Sequence, residues 1–451
     1  MTADRIGGHA VTMSETPASS AQSELFRFGR ALLDGGVARF TFHCDRYGHF
    51  EETVDFETDG AVPSGLLSLL HVALGVSTYK AAAAKEIVLP PLTPAGRALA
   101  EALYTHGLAE FFVRCGLPYP AGTLFHGEVV PGSPDELSWN GSPLIAFGGG
   151  KDSYVAGQIV ERALGQPPQF SSVVLSDAVA STLSATAPSD LLFIRRSLDP
   201  KLLTRQGAFS GHVPITAINI LVMTIASHLR SLGPVIFANE RSADEPTMMV
   251  DGTPANHQYS KSSEFEKLLR AAVAEAAPGA PASFSILRPY SELWIGRGFS
   301  SINQAFPKFT SCNKNFRLAG DADQRWCGNC AKCAFTSLIL APYITKTQGK
   351  EIFGRSMLDL DTLQPYYREL VGLSDHKPWD CVGTIAECQA ALYLASRSDA
   401  WGDTKATNTL MPQLLLQRTE EELKDQVEAA LTPDIRGAVP HQFYEAARSL
   451  A

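Results

Sequence analysis

The sequence predicts an α/β protein: a parallel sheet covered by helices on both faces, preceded by an α+β region and followed by a mainly helical segment. Three observations carry that expectation. Between Leu144 and Tyr290, short apolar runs alternate with stretches of helical periodicity, as in repeated strand–helix–strand units. The earlier 37–57 stretch alternates residue by residue between apolar and polar, as a half-buried hairpin does. From Lys346 onward the apolar positions follow helical spacing, most clearly in RTEEELKDQVEAAL at 418–431.

Taken in order, residues 1–22 are polar and read as a disordered tail. Residues 23–140 form a hairpin-and-helix domain. Its hairpin VARFTFHCDRYGHFEETVDFE turns near Asp45–His49, and helical spacing follows over 64–88 and 93–116. The Pro/Gly-rich 117–143 stretch links it to a second domain, 141–345. There LIAF (144–147), SSVVLSD (171–177), DLLFIRR (190–196), PVIFANE (234–240) and FSILRPY (284–290) are the expected strands. Residues 152–164, 214–232 and 262–276 are the expected helices between them, and 346–451 is the helical C-terminal segment.

Composition narrows the function. At 451 residues the chain is long enough for two or three domains. A net charge of −9 argues against a broad grip on nucleic acid. The longest apolar run, ITAINILVMTIASHL at 215–229, is interrupted by Asn219, Thr224, Ser227 and His228, so no membrane span is expected. The N-terminus lacks a basic start followed by an apolar segment, and the eight cysteines then suit a reducing, cytoplasmic location.

The stretch LIAFGGGKDSYVAG (144–157) places three glycines between a buried strand and a helix. A Walker loop would need Gly where Ile145 stands and Ser or Thr where Asp152 stands; a dinucleotide fingerprint would need Gly in place of Ser153. Neither fits. The loop resembles that of the ATP pyrophosphatase (PP-loop) enzymes, Ser-Gly-Gly-x-Asp-Ser, with Gly148 in the position of the first Ser. Backbone N–H groups of Gly148, Gly149 and Gly150 and the helix N-terminus suit phosphates. The resemblance implies ATP as the bound nucleotide, Ser153 as a phosphate donor, Asp152 as a Mg²⁺ ligand and Lys151 as a further phosphate contact. It also makes Asp177 a contact for the adenosine side, although an acid after a strand is equally a helix cap.

Cys312 is followed after fourteen residues by Cys327, Cys330 and Cys333, the last three at two-residue gaps. Four thiolates so spaced suit one closed, tetrahedral structural zinc site. An iron–sulfur cluster and a reduced, metal-free thiol group are the alternatives. A PP-loop followed by this cysteine pattern is similar to the 7-cyano-7-deazaguanine synthases.

Two further stretches narrow the resemblance. One, FANERSADEPTMMVDGTPANHQYSKSSEFE (237–266), follows the fourth expected strand, where open α/β sheets place ligands, and its polar density suits a large polar substrate. The other, HKPWDCVGTIAE (376–387), sets Cys381 in a loop flanked by Pro and Gly. With the glycine loop and WCGNCAKCAF, these resemble the UDP-N-acetyl-α-D-muramoyl-L-alanyl-L-glutamate epimerases of peptidoglycan synthesis. The resemblance implies adenylation of the terminal L-glutamate carboxylate, inversion at its Cα, and release of AMP and pyrophosphate. Lys151 and Lys261 would act on the transferring phosphate, and Cys381 and His257 as proton carriers. Glu240, Arg241, Asn256 and Gln258 would contact the UDP-muramoyl dipeptide.

Alternatives remain for each. His257 also suits a hydrogen bond to substrate or phosphate, and Cys381 suits a buried structural thiol. For the whole chain, the rivals are an amide- or nitrile-forming synthase or other AMP-forming ligase, and a non-catalytic nucleotide-binding module.

Overall fold

A computed structural model describes residues 24–450 apart from 121, 134, 313, 315–324, 375 and 436–438; the expected tail lies outside the described residues. The expected hairpin is β2 (Val37–Cys44) and β3 (Gly48–Asp55), preceded by β1 (Leu25–Asp34). Short strands β4 (Glu86–Val88) and β5 (Leu124–His126) follow. The central run supplies β6 (Leu144–Ala146), β7 (Gln169–Val174), β8 (Leu191–Ser197) and β9 (Val235–Phe237). A small separate ribbon is made by β10 (Met248–Val250) and β11 (Thr253–Ala255), and β12 (Ser283–Ser285) closes the series.

One sheet unites ten of these strands in the order β12-β9-β6-β7-β8-β3-β2-β1-β4-β5. The β12 to β8 portion is parallel throughout, as its strand–helix alternation requires. The N-terminal hairpin joins it antiparallel through β3 and β8, pairing Thr53, Val54 and Asp55 with Ser197, Arg196 and Arg195. A buried ion pair reinforces this seam: Arg196 Nη2 and Nε donate to Glu52 Oε2 at 2.8 and 3.1 Å, and Nη2 also donates to Ser77 Oγ at 2.6 Å.

Neighbouring residues of the central strands face opposite ways, so each face of the sheet feeds its own core. Leu144 and Val235 pack into a core with Leu66, Leu70, Ile218, Leu221, Phe265 and Leu269. Ile145 and Ile236 pack into the other, with Val155, Ile159, Phe335, Leu338 and Leu392. That explains why these strands read as continuous apolar runs. The helices Ser64–Ala82, Ile215–Leu229 and Ser263–Ala276 cover the first face. The helix Lys151–Leu164 and the C-terminal helices, including Ala331–Leu340 and Ile385–Ser396, cover the second. Among the described residues no helix is long and apolar enough to cross a membrane.

Candidate active site

The chain runs β6, β7, β8 to one side of β6 and then returns to lay β9 on its other side. This reversal makes the carboxyl ends of β6 and β9 the switch point of the sheet, where a crevice opens. The glycine loop sits there. Phe147 N–H still donates to Ser171 O at 2.8 Å, Gly149 turns the chain with φ +78°, and the helix begins at Lys151. That left-handed turn is what a side chain at 149 would resist. Ser153 Oγ accepts the Gly148 N–H at 3.1 Å, folding the loop onto the first helical turn.

The crevice encloses about 300 Å³, and Gly148, Asp152, Ser153, Ser172, Asn239 and Lys261 are among its walls. Two further wall atoms, Ser171 Oγ and Asn219 Oδ1, are buried without a hydrogen-bond partner. Lys151 points elsewhere: its buried ammonium lies between Asp152, at 2.5 Å, and Glu292. Burial works against its charge, but the two carboxylates outweigh that and hold it well above the usual lysine range. Ser176 caps the next helix by accepting the Val179 N–H at 3.3 Å, and Asp177, exposed in its first turn, pairs with Arg195 at 2.7 Å, away from the crevice walls.

Beyond Lys261 the 237–262 stretch is held in shape from within. Arg288 donates to the carbonyls of Glu240 and Lys261 and to the Glu266 carboxylate. Asn256 Nδ2 donates to Ala243 O at 2.8 Å while its Oδ1 accepts the Gln258 N–H at 2.7 Å. Gln258 reaches across to Val382 O at 3.2 Å, tying this stretch to the Cys381 loop. Arg241 donates instead to Thr432 and Ala429 carbonyls at the end of the helix Glu420–Leu431, and Glu240 is buried beside Ser242. The Cys381 loop has its own anchors: Asp380 accepts the Cys381 N–H at 2.8 Å, Lys332 donates to Cys381 O, and a Thr384–Glu387 capping box starts the next helix.

These anchors bring Cys381 Sγ to 3.5 Å from His257 Nε2. His257 Nδ1 lies 2.5 Å from Glu110 Oε2, and His212 Nδ1 lies 3.3 Å from the same oxygen. Burial opposes the Cys381 thiolate, yet the Lys261, His257 and Lys332 cations pull its pKa down to about 6. Burial likewise opposes charge on His257, but Cys381 and Glu110 raise it to about 10. The thiol and imidazole therefore stand as a thiolate–imidazolium pair at neutral pH. Lys261 belongs to both places, as a wall of the crevice and as a cation whose charge acts on the Cys381 thiol.

Four other cysteines also converge. The sulfurs of Cys312, Cys327, Cys330 and Cys333 all lie within 4.8 Å of one another, a metal-site arrangement. Cys327 Sγ and Cys333 Sγ are 3.8 Å apart, matching the roughly 3.8 Å edge of a tetrahedron with Zn–S near 2.3 Å. Gly328, at φ +64°, makes the knuckle turn, and Asn329 N–H donates to Cys327 Sγ at 3.3 Å.

Residues 18–286 match the family model of the MurL N-terminal domain, and residues 308–426 that of the MurL C-terminal domain. The chain belongs to the MurL family. Three curated MurL relatives carry the name UDP-N-acetyl-alpha-D-muramoyl-L-alanyl-L-glutamate epimerase. The one from Micromonospora sp. is 42% identical over 361 residues, spanning 77% of this chain and 78% of that protein. The Salinispora tropica relative is 40% identical over 397 residues, 84% of this chain and 86% of its own. The Xanthomonas oryzae pv. oryzae relative is 34% identical over 446 residues, 95% and 98%. This MurL-family chain is an enzyme of the epimerase kind.

Glu110, His212, Glu292 and Lys332, which the fold brings beside His257, Lys151 and Cys381, were not read from the sequence. Glu110 and Lys332 sit in ordinary helical spacing, and Glu292 follows its cap Ser291 as many first-turn acids do. His212 carried no signal. For the ribbon preceding His257, Asp251-Gly252 between two short apolar runs is a hairpin signature that would have found it.

Proposed function

We propose that this enzyme inverts the L-glutamate Cα of UDP-N-acetylmuramoyl-L-alanyl-L-glutamate in the cytoplasm, using ATP to adenylate the terminal carboxylate and releasing AMP and pyrophosphate. The names of the relatives support the substrate. The observation that carries the mechanism is Lys261, one side chain shared between the glycine-loop crevice and the Cys381 thiolate.

The crevice suits a nucleotide. The glycine loop and the fourteen-residue helix behind it offer N–H groups and a positive end to phosphates, and Ser153 and Lys261 stand on the walls. The unpaired Ser171 Oγ and Asn219 Oδ1 leave polar atoms for a ligand to satisfy. Asp152 keeps one carboxylate oxygen beyond its bond to Lys151 and would hold Mg²⁺, which neutralises phosphate charge when bound. Lys151, tied to Glu292, serves to fix Asp152 rather than to reach the phosphates itself.

Adenylation removes the full negative charge beside the glutamate Cα, so the Cα–H becomes acidic enough for a side-chain base. The Cys381 thiolate takes that proton, with Lys261 holding charge on the neighbouring phosphate side. A proton delivered to the opposite face of Cα completes the inversion, and water then cleaves the adenylate to the D-glutamate carboxylate and AMP. Both His257 nitrogens are engaged, by Cys381 and by Glu110, so His257 serves as the cation that keeps the thiol ionised. General acid–base groups of this kind contribute about 10²–10⁴-fold. The four-cysteine centre, as a structural zinc site, pins the helix Ala331–Leu340 and thereby Lys332 beneath Cys381.

The test is incubation with ATP and the UDP-linked L-Ala-L-Glu peptide in ²H₂O. Deuterium at the glutamate Cα, D-glutamate and equimolar pyrophosphate are expected. Epimerised product with protium at Cα, or turnover without ATP, would refute the route; full activity in Cys381→Ala would refute the thiol's part.

A further inference from the structure

Glu110 is joined to the thiol through His257. It is buried on the short helix Ala109–Arg114 of the N-terminal region, nearly 150 residues before His257. Its Oε1 accepts from Arg114 at 3.0 Å, while Oε2 meets both His257 Nδ1 and His212 Nδ1. Carboxylate, imidazole and sulfur thus stand in a line drawn from three distant parts of the chain.

We infer that Glu110 is the positioning residue of the epimerisation, fixing His257 as an imidazolium so that Cys381 stands as a thiolate, with His212 holding Glu110 in place as a neutral donor. The inference rests on the reading of Cys381 as the proton carrier. The proton that leaves Cys381 Sγ resides on His257 Nε2, so no group outside the cluster is needed for balance. Glu110 faces Arg114, His212, His257 and the more distant Lys80. Cys381 faces Lys261, His257 and Lys332, while Asp380 takes its backbone N–H. Without the Glu110 charge, a buried imidazolium would lose its anchoring anion and sit close to His212 and to the lysines that face the thiol, and it would give up its proton. His212 is suited to the neutral role: burial, then the charge on His257, holds its pKa down to about 3.

The experiment follows iodoacetamide alkylation of Cys381 from pH 5 to 9 in the full chain, read on the peptide that bears it, for wild type, Glu110→Gln, Glu110→Asp and His212→Gln. In Glu110→Gln the apparent pKa of the thiol should rise by about one unit, lowering the alkylation rate at pH 6 about fivefold. Glu110→Asp should recover most of that loss, and His212→Gln should show about a threefold one. The KM for ATP should stay within about twofold of wild type, because Glu110 is not among the crevice walls. An unchanged alkylation profile in a folded Glu110→Gln overturns the inference, as does a metal ion held by Glu110, His212 and His257, whose ligand atoms lie within 4.8 Å of one another, and lost in this variant. If Glu110→Gln does not fold, an unchanged profile in His212→Gln overturns it instead. Full activity in Cys381→Ala would defeat the proton-carrier reading while leaving the dependence of alkylation on Glu110 intact, so the two failures are distinguishable.

Discussion

Lowering the pH should extinguish the enzyme through one sulfur atom. Two protons matter to the Cys381–His257 pair, and the pair titrates near 6 and near 10. With the lower value at 6, about 90% of the protein carries the thiolate at pH 7, and only about 9% at pH 5. An ordinary cysteine at about 8.5 would be only about 3% ionised at pH 7. The expected profile of kcat/KM is therefore a plateau from about pH 7 to 9, with an acid limb falling about tenfold per unit below 6. The upper limb should lie near 10, where His257 gives up its proton. Initial rates of pyrophosphate-coupled epimerisation at saturating ATP measure this directly. A profile that climbs through pH 8–9 would mean that Cys381 is an ordinary thiol, and the argument from its neighbouring cations would be wrong.

Three other outcomes are expected. Gly148→Ser restores the hydroxyl of the usual loop pattern at a position where an added Cβ meets nothing within 4 Å. It should fold normally and lower the KM for ATP about two- to tenfold, the worth of one neutral hydrogen bond, as initial rates will show. Metal analysis should find one zinc per chain. Cys330→Ser should abolish it and cost about 4 kcal/mol in urea unfolding, the linkage for free zinc a thousandfold above its dissociation constant. Arg196→Met, which strands the Glu52 carboxylate in the seam between β3 and β8, should cost about 3–5 kcal/mol by the same assay.

The parallel half of the fold was legible because burial on both faces leaves a plain mark, an apolar run such as LIAF or PVIFANE, and the glycine loop breaks such a run at a fixed place. β1 was missed. Its alternation, carried by Phe26 and Phe28, slips at the register shift between Phe28 and Ala31, which breaks the period of two. The pairing of β3 with β8 was invisible for another reason: strand partners 144 residues apart are chosen by tertiary packing, and neither strand announces its neighbour. The same holds for the site. His257, Lys261 and Cys381 stood out because polar groups crowded into loops have few structural explanations. Glu110 did not, since a carboxylate within a helix looks like any solvated surface acid until the fold buries it. Lys151 shows a different limit: its place in the glycine loop suggests phosphate, and the buried Glu292 carboxylate that pairs with its ammonium lies 141 residues away, where no local pattern marks it.

The seam between β3 and β8 has a consequence for the solubility of the chain. A parallel sheet that stopped at β8 would leave one edge of a seven-residue strand unpaired, with N–H and C=O of alternate residues bare beside apolar Leu191, Leu192, Phe193 and Ile194. Such a strand is a template on which another chain can add itself. The hairpin strand β3 pairs with Arg195, Arg196 and Ser197 of that edge within the same molecule and carries the sheet onward to β5, a strand of only three residues where a stranger finds little to grip.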